Sequence, residues 1–562
     1  MSCGFFRSAA LHPTRAPRPV ARCIAQLSPH LWRGGACALG ALLMAACSTV
    51  MPEADYPRPV SVALAHPQST RLGALFGHEA AAHGGRSGFR IVSTGVNGFL
   101  LRVQLIDAAQ RTLDLQYFIF RGDQTGRLIT DALRRAAARG VRVRVLVDDG
   151  ETVAGDGQIL ALDGQPNIEV RVFNPFVYRG HSELLRGLEF LFDVSRLDYR
   201  MHNKLLVADN SVTLIGGRNI GNQYFQMDPR SQLADDDVFS VGPVVKQLSA
   251  TFDDFWNSRF AIPARALGHR SPAPLNISVP HWRRQERRLS ASLGLPGTRY
   301  AAKIQSDEPF ADLISGRLPL VWARAQVVYD SPDKKSVRRG ERLGQLMQPE
   351  VALAATKVKS ELLIITPYLV PAPEEMKLLA TLRRRGVTIR ILTNSLMSAR
   401  SLVGQSGYMH YRVALLKEGI HLYEIRTQLG NTQGSGQTKQ MSRFGNYALH
   451  AKEFVFDRRS VFFGSMNFDQ RSRDLNTEIG LIIHSPKLAA QAAARFKAMT
   501  EPQNAYRVRL LVPGAGSAGK PHLVWDTVVH GKPVEYDHEP SSSVLRSLEI
   551  KLLSMLHVDG EL

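Results

Sequence analysis

The pattern of apolar and polar positions repeats a strand–helix–strand unit twice along the chain. Leu113-Asp-Leu-Gln-Tyr-Phe-Ile-Phe120 reads as a strand, and Leu128, Ile129, Ala132, Leu133 and Ala136 then recur at helical spacing. Arg139-Gly140 closes that helix with glycine at a natural C-cap, and Val141–Val147 alternates with period two. The same events recur with Leu362–Val370 as strand and Met376, Leu378, Leu379 and Leu382 as helix. Arg385-Gly386 closes this second helix, and Val387–Leu392 is the next strand. A third strand follows in each half, Ile168–Phe173 and Ile420–Ile425. Strands alternating with helices through short loops predict an α/β fold with a parallel or mixed sheet covered by helices.

The repeat divides the chain. Residues 87–262 form a first lobe and 346–510 a second, with 263–345 expected as a linker or flap. That stretch carries Pro263, Pro272, Pro274 and Pro280 and a basic run, His281-Trp-Arg-Arg-Gln-Glu-Arg-Arg288, read as a solvated face or a contact to lipid headgroups. Residues 48–86 read as a tether, in which His78-Glu79 and His83 miss the i, i+4 spacing of a zinc helix. Residues 511–562 form a tail. It opens on the Gly-rich Pro513–Gly519 and ends in an amphipathic stripe, Leu545, Leu548, Leu552, Leu553 and Leu556, within Ser543–His557.

Charge and cysteines sharpen the picture. The 562 residues carry 70 Lys plus Arg against 50 Asp plus Glu, a formal +20. Arg7, Arg15, Arg18, Arg22 and Arg33 precede Cys47 in a stretch without acids, which leaves +15 on the remainder. Such a surplus favours an anionic partner, nucleic acid or an anionic bilayer. All four cysteines (Cys3, Cys23, Cys37, Cys47) fall in the first 47 residues, so the folded body has neither disulfides nor thiolate metal ligands. A positive flank, the apolar Ala36–Ala46 and small residues before Cys47 describe residues 1–47 as a secretory signal, and the small-small-Cys ending resembles a bacterial lipobox. The expectation is a chain acylated at Cys47 and anchored in the bacterial envelope, facing the periplasm.

The chemistry sits in a second repeat. His202-Asn-Lys204 runs through four residues to Asp209 and, six residues on, to Gly216-Gly-Arg-Asn219. His450-Ala-Lys452 runs in the same way to Asp457 and Gly464-Ser-Met-Asn467. The two motif regions span about 196–223 and 444–471. On a strand, period two places His202 with Lys204, and His450 with Lys452, on one face. Packed about a pseudo-twofold axis, two His, two Lys and two Asn (Asn219, Asn467) would converge on a cationic, donor-rich pocket suited to a phosphate. One neutral imidazole would attack phosphorus and the other would protonate the leaving oxygen. An acid shortly after each motif, Asp237 and Glu478, is the candidate for orienting each imidazole. A shared zinc site is rejected, because a lysine stands two residues from each histidine and no carboxylate completes a ligand set.

These motifs resemble the phospholipase D superfamily and, within it, the bacterial cardiolipin synthase C type. The likeness extends to Leu113-Asp-Leu-Gln-Tyr-Phe, Val172-Phe-Asn-Pro-Phe176, Ile391-Leu-Thr-Asn-Ser-Leu396 and Leu475-Asn-Thr-Glu478, and covers about residues 87–560. The resemblance implies two α-β-α lobes related by a pseudo-twofold axis, an active site at their interface, and no metal or other cofactor. Its implied catalytic set is His202, Lys204, Asp209, His450, Lys452 and Asp457, with His202 as nucleophile and His450 as acid. Its implied activity is phosphatidyl transfer to phosphatidylglycerol, with phosphatidylglycerol or phosphatidylethanolamine as donor. Hydrolysis to phosphatidic acid, or a metal-independent phosphodiesterase acting on nucleic acid, are the alternatives. Set against the membrane-directed N-terminus, a nucleic-acid partner is not expected.

Overall fold

The computed structural model describes residues 56–150, 161–179, 182–228, 231–267, 319–429, 447–512, 520–541 and 549–550. These lie in the second of two units, Met1–Thr49 and Val50–Leu562. The signal segment with Cys47, the basic run 281–288, the Gly-rich stretch and nearly all of Ser543–His557 fall outside the described residues.

The first lobe contributes β1 (Ser87–Val92), β2 (Thr112–Tyr117), β3 (Arg142–Asp148), β4 (Ile168–Phe173), β5 (Lys204–Ala208), β6 (Val212–Gly216), β7 (Gln232–Ala234), β8 (Asp237–Val241) and β9 (Ala261–Pro263). The second contributes β10 (Val321–Tyr329), β11 (Glu361–Ile365), β12 (Leu369–Val370), β13 (Thr388–Asn394), β14 (His421–Ile425), β15 (Tyr447–Leu449), β16 (Glu453–Phe456), β17 (Ser460–Gly464), β18 (Phe468–Asp469), β19 (Ile479–His484) and β20 (Ala505–Leu511). A hairpin, β21 (His522–Val529) and β22 (Lys532–Tyr536), extends the sheet beyond β20.

Strand pairing makes the twofold relation explicit. The first lobe runs β9-β4-β3-β2-β5-β6-β8-β1, and the second runs β20-β14-β13-β11-β16-β17-β19-β10 in the same sense. The equivalent strands β1 and β10 pair antiparallel, Gly88 opposite Trp322, so the pseudo-twofold axis passes between them. They join the lobes into one 18-stranded sheet. The second lobe therefore begins at Val321, inside the stretch expected to be a linker. Its alternation is weak there, because β10 is only half-buried along most of its length.

Local chemistry explains the elements. Asp123 caps helix Gln124–Ala138 by accepting the Gly126 N–H, and Ile129, Ala132, Leu133 and Ala136 bury against the sheet. Gly140, at φ +90°, provides the left-handed residue that ends it, and Gly386, at φ +83°, does so for helix Pro373–Arg384. The central strands β2, β3, β11 and β13 are buried along most of their length, and polar side chains that interrupt β2 and β3 are paired there, Asp114 with Arg144 at 2.7 Å. The predicted strand Leu362–Val370 is broken at Thr366-Pro367-Tyr368. Proline lacks the N–H a ladder needs, and the Thr366 hydroxyl donates to the Tyr368 carbonyl instead.

Candidate active site

Strands β2, β3 and β4 are parallel, and their C-terminal ends gather the histidines. β5 runs antiparallel to β2 with Lys204 opposite Tyr117, so His202 enters from the loop just beyond that edge. The Asp148 carboxylate at the end of β3 accepts the Met201 N–H at 2.8 Å. The second lobe closes the register: the His202 N–H donates to the Thr477 carbonyl at 2.9 Å. Related by the twofold, the His450 and Ala451 N–H groups donate to the Ala234 carbonyl at 2.8 and 2.9 Å, where β15 pairs parallel with β7. Each histidine is thus pinned by backbone of the opposite lobe.

The side chains cross over as well. His202 Nδ1 meets both Glu478 oxygens at 3.0 and 2.9 Å, and His450 Nδ1 meets Asp235 Oδ2 at 2.5 Å. Both acids come from the opposite lobe and engage Nδ1, and His202 feels the Lys452 charge as His450 feels that of Lys204, which brings the two motifs to one site. Both histidines, and Lys452, lie in loops ahead of β5 and β16 rather than on a strand; Lys204 donates back to the His202 carbonyl, and Lys452 to the His450 carbonyl at 2.5 Å. Phe118 stands edge-on to His202 at 5.0 Å and Tyr224 edge-on to His450 at 5.2 Å, fixing both ring planes.

The acid assignment for the first lobe needs correction. Asp237 is buried in β8 between Arg102 (2.8 Å) and Arg218 (3.0 Å) and does not reach a histidine. The residue that does is Asp235. The register would have identified it: Gly216 pairs with Asp237 as Gly464 pairs with Gly480, so the equivalent of Glu478 lies two residues before 237.

Asp209 and Asp457, expected within the catalytic set, are the second correction. Each lies at the far end of its strand, on the order of 20 Å from its histidine at about 3.4 Å per residue. Asp209 accepts the N–H groups of Gln110, Arg111 and Thr112 at 2.8 to 3.0 Å. Asp457 accepts those of Lys359, Ser360 and Glu361 at 2.7 to 3.0 Å. Both aspartates and their successors, Asn210 and Arg458, hold positive φ, so each motif aspartate ties a tight hairpin to the start of β2 or β11.

Asn219 is wholly buried, taking the Ile119 N–H at 3.1 Å and donating to the Tyr224 hydroxyl at 3.0 Å. The Asn467 N–H donates to the Ser472 hydroxyl, which in turn donates to Glu478 at 2.8 Å. Ser465 gives Glu478 a second hydroxyl donor. Its counterpart Gly217 lies against Asp235, where a Cβ would come within 2.2 Å of the carboxylate. Sequence reasoning missed Asp235, Ser472, Phe118 and Tyr224, which lie outside the repeated motif, and Ser465, which lies inside Gly464-Ser-Met-Asn467 where the first lobe has Gly217.

The electrostatics keep both histidines neutral and separate the two acids. Burial, then the Lys204 and Lys452 ammoniums, hold His202 well below the usual imidazole range, so it is neutral at pH 7. Burial raises Glu478 to about 7 against the pull of Lys204. Burial would also raise Asp235, but His450, Lys452 and Arg218 outweigh it and keep this carboxylate low. Burial and Lys452 push His450 down to about 3 while Asp235 pulls it up. Burial brings Lys452 to about 8 and lowers Lys204 well below the ordinary lysine range.

Comparison with known proteins agrees with this geometry. Residues 103–256 and 353–500 each match the family model described as "Cardiolipin synthase, PLD-like domain". The chain belongs to the phospholipase D superfamily, in its cardiolipin synthase branch. It is 36% identical over 490 residues to cardiolipin synthase C of Escherichia coli (strain K12), covering 85% of this chain and 96% of that protein. An uncharacterized protein of Helicobacter pylori (strain ATCC 700392 / 26695) is 30% identical over 77% of this chain and 83% of its own length. Among solved structures, phosphatidylserine synthase of Haemophilus influenzae Rd KW20 is similar at 13% identity and TM-score 0.49, over 76% of this chain and 91% of that one. This phospholipase D-like chain is accordingly an enzyme, with one histidine motif in each matched segment.

Proposed function

We propose that the protein is a phosphatidyltransferase that makes cardiolipin from phosphatidylglycerol and a second phospholipid. The observation that carries this reading is the crossed pairing, in which two neutral imidazoles and two lysines share one buried space, each imidazole braced by an acid of the other lobe. The His202 Nε2 lone pair attacks the donor phosphorus, forming an N–P bond as the P–O bond to the headgroup alcohol breaks. His450, protonated as the phosphodiester charge enters and Asp235 supports the imidazolium, gives its proton to the departing oxygen. The same nitrogen then takes the proton of the phosphatidylglycerol hydroxyl, which attacks phosphorus and releases His202. Lys204, Lys452 and the Asn219 and Asn467 amides hold the non-bridging oxygens through both steps. The low Asp235 and raised Glu478 favour this division of roles over its reverse. An acyl anchor on Cys47 would keep the enzyme at an envelope membrane, on its periplasmic side.

The test is incubation of the protein with phosphatidylglycerol vesicles, with and without phosphatidylethanolamine, with products read by lipid mass spectrometry. Cardiolipin made by the parent and lost in His202→Ala supports the transferase and identifies the donor. Phosphatidic acid alone moves the assignment to hydrolysis, and no turnover of either lipid turns the test to DNA and RNA. Labelled fatty acid incorporated by the parent and lost in Cys47→Ser tests the anchor.

A further inference from the structure

Helix Glu183–Phe192 reverses the usual arrangement of an amphipathic helix. Ten large apolar side chains are exposed among the described residues, and five of them, Leu184, Leu185, Leu188, Leu191 and Phe192, sit on this one helix. Their spacing of i, i+1, i+4, i+7 and i+8 makes a single stripe. Leu184 is 73% exposed, Leu191 70% and Phe192 88%, so the stripe faces outward. The polar side of the helix is what holds it to the lobe. Glu189 accepts the Val177 and Tyr178 N–H groups at 2.6 and 2.8 Å and pairs with Arg196 at 3.1 Å. Arg186 stacks over the Phe176 ring at 4.3 Å and donates to the Asp149 carbonyl. Such built polar docking fixes the apolar face toward something outside the lobe.

Its position and surroundings say what that is. The helix stands in the connection leaving the C-terminal end of β4, the same edge of the sheet that carries the histidines. The chain runs from Phe192 to His202 in ten residues, and on the way Asp198 pairs with Arg471, a cation felt by His202 itself. Beside it Lys335 donates to the Ser195 carbonyl and lies over the Tyr199 ring at 5.5 Å. The segment it belongs to carries Arg338, Arg339 and Arg342 with the fully exposed Leu343, and Arg259 joins it through Asp333. These five cations outnumber the acids they pair with, Asp333, Glu341 and Asp474. An apolar stripe next to this cation-rich segment, which Lys335 joins to the helix region at Ser195, complements an anionic bilayer, whose headgroups take the cations while its acyl boundary takes the leucines.

We propose that helix Glu183–Phe192 is an interfacial helix that inserts its leucine and phenylalanine stripe into the acyl boundary of an anionic bilayer. Insertion holds the histidine-bearing edge of the sheet at the lipid surface. The proposal deepens the phospholipid-transfer reading and rests on it for its purpose, while the binding it describes can be measured without turnover.

The experiment uses the full chain carrying Cys47→Ser, so that no acyl group can anchor it, and compares it with the same chain bearing Leu191→Ser and Phe192→Ser. Sedimentation with phosphatidylglycerol vesicles is expected to weaken at least about tenfold, since one side chain of this size withdrawn from water is worth roughly a decade. Turnover of monomeric dihexanoyl phosphatidylglycerol and the melting temperature are expected to stay unchanged. In a separate Leu188→Trp chain, emission should shift to the blue on adding vesicles and be quenched by brominated lipid. Unchanged sedimentation of the double variant overturns the proposal. So does a tryptophan already buried before vesicles are added, which would assign the stripe to a second copy if the double variant loses a dimer, and to the chain's own segments if it does not. Loss of vesicle binding in the double variant, beside a parent that binds vesicles but turns over no lipid, would keep the helix and refute the transferase.

Discussion

Replacing Asp235 with Asn tests the crossed pairing directly. The substitution keeps the size of the side chain and its place beside His450 while removing the charge 2.5 Å from Nδ1. With charge centres about 4 Å apart and an effective dielectric near 20, an aspartate stabilises an imidazolium by about 4 kcal/mol. At 1.4 kcal/mol per decade, that predicts a fall in kcat of about 10³-fold with little change in KM. Removing the carboxylate also takes away a charge that raises Lys452, so the alkaline limb set by that ammonium moves to lower pH. Asp237→Asn is the control, because Asp237 faces Arg102 and Arg218 rather than a histidine. It should cost stability instead, about 3 to 5 kcal/mol for breaking a buried pair, with kcat per folded molecule held within a few fold. The assay is single-turnover phosphatidyl transfer beside thermal unfolding of the same preparations. A rate for Asp235→Asn within threefold of the parent, or a rate loss confined to Asp237→Asn, would refute the assignment.

Three further outcomes follow from the same geometry. Asp209→Ala strips the acceptor from three backbone N–H groups and should destabilise the protein by about 3 kcal/mol at about 1 kcal/mol each, measured by urea unfolding; a loss of activity without destabilisation would return Asp209 to the chemistry. Gly217→Ala puts a methyl group 2.2 Å from the Asp235 carboxylate and should lower kcat by tens of fold as the acid is displaced from His450, whereas Gly187→Ala, with open space around it, should be silent. The rate should be greatest between about pH 7 and 8: below about 7 Glu478 takes a proton and loses its anionic hold on His202, and above about 8 Lys452 sheds the proton that binds phosphate, so KM rises. Lys452→Arg should carry the alkaline limb upward, and an unchanged limb would remove Lys452 from that role.

The sequence made the duplicated architecture legible because each lobe repeats both its apolar period and its motif spacing, and Gly140 and Gly386 mark the same helix end. The pairs His202–Lys204 and His450–Lys452 were legible from their repeated spacing, although of the four only Lys204 lies on a strand and each lysine reaches back to the histidine carbonyl. What stayed hidden depends on the packing of one lobe against the other. Nothing local to Ala234-Asp-Asp-Asp-Val238 says which of three neighbouring acids faces a histidine 215 residues away; the β6–β8 register decides it. The two motif aspartates were misplaced for the opposite reason. Their constant distance from the histidines looks like shared chemistry, but what fixes it is a hairpin whose length must match the strand. Strand β10 was passed over because its half-exposed residues lack the apolar run of its neighbours.

A twofold frame by itself would build two identical histidines, and the displacement proposed above needs two different ones. The difference is made by a reciprocal change at two positions. On one side a short acid, Asp235, reaches His450 across Gly217, with no hydroxyl on that residue and with Arg218 and Lys452 keeping it charged. On the other a longer acid, Glu478, reaches His202 with Ser465 and Ser472 donating to the same carboxylate, and burial raises its proton affinity. Under the proposed roles, the charged Asp235 supports a histidine that takes up a proton, and Glu478, ionised above about pH 7, holds Nδ1 of a histidine that keeps its Nε2 lone pair. Because each acid belongs to the lobe opposite its histidine, neither lobe holds a complete histidine–acid pair, and both pairs exist only where the two lobes close on one another.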